Sequence, residues 1–190
     1  MEYDDLRGFL KLLESKKELI RIKEPVNWDV EIGTISQESI NQNGAAFVCE
    51  NIQDYTKTPC RKLAMNYLGS WKRVALAMGM PEDTLPGEMV SEWRKRDKQL
   101  IKPVVVDKGP CKENILREKK VDLSKFPIPK LHARDGGRYA LTWHIVVTKD
   151  PDTGWMNVGT YRGMMLDKQN IGMLLIPVQN WGIHARKYLQ

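Results

Sequence analysis

The residues best suited to chemistry lie in the octapeptide WMNVGTYR, residues 155–162, where an amide and a guanidinium sit among apolar neighbours. Side chains alternate between the two faces of an extended strand. One face is expected to carry Asn157, Gly159 and Tyr161, and the other Met156, Val158, Thr160 and Arg162. A guanidinium on an apolar face lies either at a wet sheet edge or in the wall of a cavity. The pattern alone does not decide between them.

The neighbouring segments predict the strands that position this octapeptide. Residues 140–148 (ALTWHIVVT) are rich in β-branched and aromatic residues, and residues 149–154 between the two segments are dense in turn formers. A third strand is predicted at residues 172–177, after a second polar turn. The three strands would form an antiparallel meander. By pattern alone this is more typical of one wall of a sandwich or barrel than of a ligand site.

Composition excludes several classes of protein. With 190 residues and 42% hydrophobic content the chain can bury a core in one or two domains. It has no long apolar run, and its N-terminal segment is acidic. We therefore expect a cytoplasmic protein without membrane contact. Three cysteines without CxxC spacing argue against a disulfide framework or a zinc site. The net charge is +6, and its main basic run, residues 94–102, is more typical of a solvated helix face than of a nucleic-acid contact.

The first hundred residues alternate between the patterns of helices and strands. Helices are predicted at residues 4–17, 29–41, 70–78 and 89–95, and strands at 19–22, 45–49 and 62–67. Beyond residue 102, prolines punctuate short extended runs, which predicts an all-β region. The expected fold is therefore α+β, with an N-terminal domain at residues 1–105 and a β domain at residues 106–190.

Several motifs in order give the chain a family resemblance. They are DLRGFLKLLE at the start, GSWKRVALAMG at residues 69–79, VDL and PIP between residues 121 and 129, DGGRY at residues 135–139, and then NVGTYR. Together they resemble the N-terminal part of the UbiD family of decarboxylases. The resemblance implies an enzyme that removes CO2 from, or adds it to, an aromatic or α,β-unsaturated acid. It also implies that residues 106–190 form an incomplete split β-barrel of flavin-reductase type.

The resemblance further implies cofactors and the residues that hold them. The cofactor is prenylated FMN, made by a flavin prenyltransferase and bound through its phosphate to a divalent cation, usually Mn2+, with K+ close by. Asn157 matches a metal ligand, and Arg162 matches the catalytic arginine that contacts cofactor and substrate carboxylate. The other matching cofactor contacts are Thr142, Val158, Gly159, Thr160, Tyr161 and Gln179.

The sequence also departs from the family pattern. In place of the family's metal-binding histidine it has Gln179 and Asn180, with His184 slightly later. Asn180, His184 or neither could complete the metal site. The family's catalytic glutamates lie beyond residue 190, and no Glu follows Glu118. The chain as written is therefore expected to lack the proton donor. The alternative to a self-contained enzyme is a homo-oligomer, or a non-catalytic subunit or binding module that completes a site with a partner chain.

Overall fold

The computed structural model describes residues 3–99 and 101–190 of the chain. The N-terminal part follows the predicted alternation closely. Its elements are α1 (Leu6–Ser15), β1 (Leu19–Ile22), α2 (Glu31–Asn41), β2 (Ala46–Cys49), β3 (Leu63–Met65), α3 (Trp71–Ala77) and α4 (Pro86–Arg96). Asp5 caps α1 by accepting from Gly8 N at 2.7 Å, and Ser70 caps α3 through Arg73 N. The local signals for these elements are therefore confirmed.

The three strands of this part form one sheet in the order β1-β2-β3. β1 runs parallel to the central β2, with Leu19 opposite Ala46, and β3 runs antiparallel to β2, with Phe47 opposite Met65. Every residue of β2 is buried. Because side chains alternate along it, Ala46 and Val48 pack with one hydrophobic cluster and Phe47 and Cys49 with another. The first cluster includes residues of α1 and α3, and the second includes Ile32 of α2.

Residues 126–131, which we call the strap, join the second half of the chain to this sheet domain. Lys130 N donates to Trp28 O at 3.1 Å, and Lys130 O accepts from Val30 N at 2.9 Å. Gly33 makes the approach possible, since a Cβ there would lie 1.8 Å from Leu131 O. Three short 3-10 turns precede the strap at Pro110–Lys112, Glu118–Lys120 and Leu123–Lys125.

The remaining elements are two hairpins and a helix. β4 (Val146–Lys149) pairs with β5 (Met156–Gly159), β6 (Gly163–Met165) pairs with β7 (Ile171–Met173), and α5 spans Asn180–Leu189. The prediction of one meander is wrong in its connectivity, because the expected strand at residues 155–162 ends at Gly159 and a separate strand begins at Gly163. The first predicted strand is also shorter: only an isolated bridge from Leu141 to Gly163 precedes β4.

The prediction that the second half is all-β is also wrong, because α5 is a ten-residue helix. Among residues 3–99 and 101–190 the strands beyond β3 form two separate two-stranded sheets, which is a mixed α+β arrangement. No helix in the described part of the chain is long and apolar enough to cross a membrane.

Candidate functional site

The β4–β5 hairpin and α5 bring together a group of polar side chains. The hairpin places Thr148 opposite Asn157, and the side chains of both point towards α5. On α5, Asn180 and His184 are four residues apart and so lie on one helix face. Asn157 and His184 are only 5% and 3% exposed. Three elements therefore bring their polar groups to one point.

These side chains form a continuous hydrogen-bond network, which we call the Asn157 network: Thr148, Asn157, Tyr161, Asn180 and His184. Asn180 Nδ2 donates to Asn157 Oδ1 at 3.1 Å. Asn157 Nδ2 donates to Tyr161 Oη at 2.9 Å and to Thr148 Oγ1 at 3.2 Å. Thr148 Oγ1 lies 2.9 Å from His184 Nδ1. The Thr148 hydroxyl, which can both donate and accept, therefore connects Asn157 to His184.

Aromatic contacts and a close backbone approach hold α5 against the hairpin. Trp181 stacks on Tyr161 with ring centroids 4.8 Å apart, and Trp155 meets His184 edge-on at 5.7 Å. Gly182 has no room for a side chain, since a Cβ would lie 2.2 Å from Ile176 O. Helix α5 is therefore packed tightly over the network.

A charged group closes the turn end of the hairpin. Lys187 Nζ lies 2.7 Å from Asp150 Oδ2 and 2.9 Å from Asp152 Oδ2. The Lys187 ammonium and the N–H groups of Asp152 and Thr153 lower the pKa of Asp150 to about 2. The two carboxylates in turn raise the pKa of Lys187. The pair remains ionised across the neutral range and ties α5 to the turn.

The other predicted site residues lie outside the network. Val158 is 64% exposed, and Thr142, Thr160 and Arg162 are exposed as well. The Arg162 guanidinium is 5.9 Å from the centroid of the Tyr139 ring, and the Leu141–Gly163 bridge adjoins both Thr142 and Arg162. Gln179 is the exposed N-cap residue of α5. The structure thus divides the predicted residues into a buried amide site and an exposed arginine side.

The alternation predicted for residues 155–162 persists beyond the end of β5. Asn157, Tyr161 and Gly163 are buried, while Met156, Val158, Thr160 and Arg162 are exposed. The Tyr161 ring crosses over Gly159, where a Cβ would lie 2.7 Å from the ring. The two faces are therefore as the sequence predicts, although the strand is not continuous.

Sequence reasoning missed one residue of the network and one residue that packs against it. Thr148 connects Asn157 to His184, and Trp181 covers Tyr161. The strand pairing predicted from the sequence contained the signal for Thr148, because a residue across a hairpin from Asn157 shares its face. The spacing of Asn180 and His184 would likewise have placed both on one face of a helix, had a helix been predicted there.

The amides of Asn157 and Asn180 suit adjacent ligands of a hard cation. Their contacting atoms are 3.1 Å apart, and two oxygens bound side by side to one small divalent cation lie about 3 Å apart. A half-turn of an amide exchanges its nitrogen for its oxygen. His184 instead directs Nδ1 to Thr148 and has Nε2 3.8 Å from Asp150 Oδ2. No cluster of three or more His, Cys, Asp or Glu side chains occurs within the described ranges.

Comparison with protein families gives two matches that follow one another along the chain. Residues 10–93 match the 3-octaprenyl-4-hydroxybenzoate carboxy-lyase N-terminal domain. Residues 102–190 match the Rift-related domain of the same carboxy-lyase. The two matches cover most of the chain.

Individual relatives agree with these matches. The chain is 33% identical to the phenolic acid decarboxylase of Sedimentibacter hydroxybenzoicus, over 97% of this chain and 39% of the relative. It is 30% identical to the pyrrole-2-carboxylic acid decarboxylase of Pseudomonas aeruginosa, over 94% of this chain and 37% of the relative. The chain therefore spans about two fifths of the length of these relatives.

Solved structures are similar over the same portion. The closed form of the Sedimentibacter hydroxybenzoicus vanillic acid decarboxylase ShVdcCD superposes with a TM-score of 0.87 at 33% identity, over 97% of this chain and 40% of that one. An evolved dimeric form of the UbiD-class enzyme HmfF from Pelotomaculum thermopropionicum, in complex with prFMN, gives a TM-score of 0.82 at 28% identity, over 95% and 40%.

Proposed function

The chain belongs to the UbiD family of carboxy-lyases, and on that premise we propose that it takes part in non-oxidative decarboxylation of an aromatic or α,β-unsaturated carboxylic acid through prenylated FMN. The observation that carries this proposal is the contact of the exposed Asn180 amide with the buried amide of Asn157, with Arg162 exposed on the opposite side of the strand. The relatives are named as decarboxylases of phenolic and pyrrole carboxylic acids. One similar structure is a complex with prFMN.

In this proposal Asn157 and Asn180 hold the divalent cation, such as Mn2+, that anchors the cofactor phosphate. Amide oxygens are hard ligands that suit such a cation. His184 is the weaker choice of ligand, because its Nδ1 faces Thr148 and its Nε2 faces Asp150. Its role is then to fix the Thr148 hydroxyl, which in turn orients the Asn157 amide.

Arg162 is proposed as the catalytic residue that receives the substrate carboxylate. Its guanidinium stays charged and can donate two parallel hydrogen bonds to a carboxylate. It lies on the exposed side of the hairpin, next to the ring of Tyr139. Thr142, Val158 and Thr160, which are exposed as Arg162 is, would contact the cofactor from the same side, together with Gln179. Gly159 and Tyr161, on the side of the network, complete the proposed contacts. The cofactor supplies the electron sink for loss of CO2, and these residues bind and orient it.

The experiment that tests this function compares cofactor retention in matched variants. The chain is co-expressed with a flavin prenyltransferase, purified with Mn2+, and examined by absorption spectroscopy and metal analysis. We expect flavin and Mn2+ to be retained by the unmodified chain and by Asn114→Ala, an exposed control, and to be lost together from Asn157→Ala. Equal flavin content in Asn157→Ala and the control would overturn the assignment of Asn157.

A second candidate function is a subunit that completes its site with another polypeptide. The accessible surface of the chain is 14067 Å², whereas a self-contained protein of 21.9 kDa exposes about 9,300 Å². An excess of this size is comparable to an obligate interface. Co-purification of a second polypeptide in fixed stoichiometry would support this function. A homogeneous monomer that binds the cofactor by itself would count against it.

A further inference from the structure

A cleft of about 580 Å3 lies outside the Asn157 network, where the sheet domain meets the second half of the chain. Its walls come from β3 and the turn after it, from the strap, and from residues 139–144. None of the five network residues lines it. The volume falls within the range of small-molecule sites, which is about 300–1,000 Å3.

The walls of the cleft are apolar and firmly held. The strap contributes Pro127 and Pro129, both buried, whose rings fix the backbone. Arg138 Nε donates to Ile128 O at 2.6 Å, and the Arg138 guanidinium stacks 4.1 Å above the Trp28 ring. These contacts of Arg138 hold the strap against the sheet domain. A preformed wall of this kind binds a flat apolar ligand without first having to order itself.

The polar groups of the cleft favour a neutral ligand. Both ring nitrogens of His144 are buried and have no hydrogen-bond partner among the described residues. Burial raises the pKa of Tyr67, so that its hydroxyl stays protonated. Lys62 is the one cationic side chain in the described lining, and it already pairs with Glu50 at 2.7 Å. No described lining residue is acidic. An uncharged hydroxyl, which both donates and accepts, matches this environment better than a carboxylate.

We propose that the cleft is a second binding site, which takes a planar aromatic molecule carrying one uncharged hydroxyl group. The ring lies between the strap and β3, and the hydroxyl bonds to a nitrogen of His144. This inference goes beyond the decarboxylase function and does not depend on it. Of the cofactor contacts proposed above, only Thr142 also lines the cleft, and the inference can be tested without flavin or metal.

The first test maps the binding of 2-naphthol on the flavin-free chain by amide chemical shifts. We expect concentration-dependent shifts at residues 63–69, 126–131 and 139–144, with residues 180–189 unaffected. Shifts confined to α5 and the hairpins, or no shifts at millimolar 2-naphthol, would overturn the proposal. This map uses the unmodified chain, so it remains decisive even if a variant fails to fold.

Two pairs of variants then test the walls and the polar group separately. Ala140→Phe fills the cleft and should weaken 2-naphthol binding about tenfold or more in calorimetry, whereas Ala133→Phe on the exposed loop should leave it unchanged. His144→Phe should weaken binding of 2-naphthol but not of 2-methylnaphthalene, while His132→Phe should affect neither. Undiminished binding by a folded Ala140→Phe variant would refute the site. An equal loss for both ligands in His144→Phe would refute the role of the histidine.

Discussion

The two halves of the molecule are ordered by different interactions. Among the described residues, fourteen of the fifteen buried hydrophobic side chains lie between Phe9 and Met89, and only Tyr161 lies in the second half. Three of the four buried polar or charged residues show the opposite distribution: Asp150, Asn157 and His184. The first half is a conventional hydrophobic core. The second is held around a polar network.

The exposed face of the β4–β5 hairpin also distinguishes the second half from the first. On the β4–β5 hairpin, Val147 and Val158 face each other across the strands and are 55% and 64% exposed. Trp143, just before β4, is 67% exposed. The hairpin therefore buries its polar side and exposes its apolar side. This is the reverse of an ordinary two-layer sheet. An exposed apolar face of this kind is typical of surfaces that bind another molecule.

The largest expected effect comes from the core of the first half. Phe47→Ala removes a side chain that is 1% exposed at the centre of β2, and we expect a loss of about 4 kcal/mol in the free energy of unfolding. Phe126→Ala, at a site that is 45% exposed, is the matched control and should cost well under half as much. Chemical denaturation measures both. Similar losses would show that the core is not the main source of stability.

Asn157→Ala should produce the next largest effect and should confine it to the second half. The substitution removes a hydrogen-bond partner of Tyr161 and of Asn180 and one of the two partners of Thr148, which costs about 1–3 kcal/mol. We expect faster amide exchange in residues 146–189 and no change in α1 to β3. Asn114→Ala should change neither region. Faster exchange spread over both halves would remove the distinction between them.

Arg138→Ala should loosen the connection between the halves at a cost of about 1–2 kcal/mol, because it removes the stacking on Trp28 and the bond to Ile128 O. Protection should fall at the strap while the sheet beneath it stays protected. Arg134→Ala, on the neighbouring exposed loop, provides the comparison. If both variants behaved alike, Arg138 would not be what joins the two halves.

The smallest effect is a pH dependence confined to α5. Ionised Asp150, with its pKa lowered to about 2, stabilises the fold above its ordinary pKa of about 4. That contribution is lost as the pH falls from about 4 towards 2. Amide protection of α5 should fall over this interval in the unmodified chain. Asp150→Asn should show lower protection at neutral pH and no further step on acidification, and an unchanged acid step in it would show that another carboxyl is responsible.

Sequence patterns predicted the first half well because local and tertiary preferences agree there. Asp5 and Ser70 sit where caps are needed, and the run at Ala46–Cys49 is apolar enough to be a central strand. In the second half, glycines and aromatic contacts decide the local structure. The close contact of Tyr161 with Gly159 accompanies the break that ends β5, and Gly182 lets α5 approach the chain before it. Hydrophobic periodicity predicts neither the end of β5 nor the close approach of α5.

The sequence predicted most residues of the candidate site but not which of them lie together. Asn180, His184 or neither was expected beside Asn157 at the metal site, and the network contains both. The position of Arg162 on the opposite side depended on the alternation through Tyr161, which the sequence also indicated. Thr148 and Trp181 were missed because their roles follow from the docking of α5, a long-range contact that no local pattern encodes.

We propose that the second half is completed by a bound cofactor, whereas the hydrophobic core of the first half forms without one. Hydrogen-exchange mass spectrometry of the chain, with and without prenylated FMN and Mn2+, tests this proposal. We expect increased protection between residues 142 and 189 and unchanged protection in α1, α2 and β1 to β3. Equal protection in both states, or a gain confined to the first half, would contradict it.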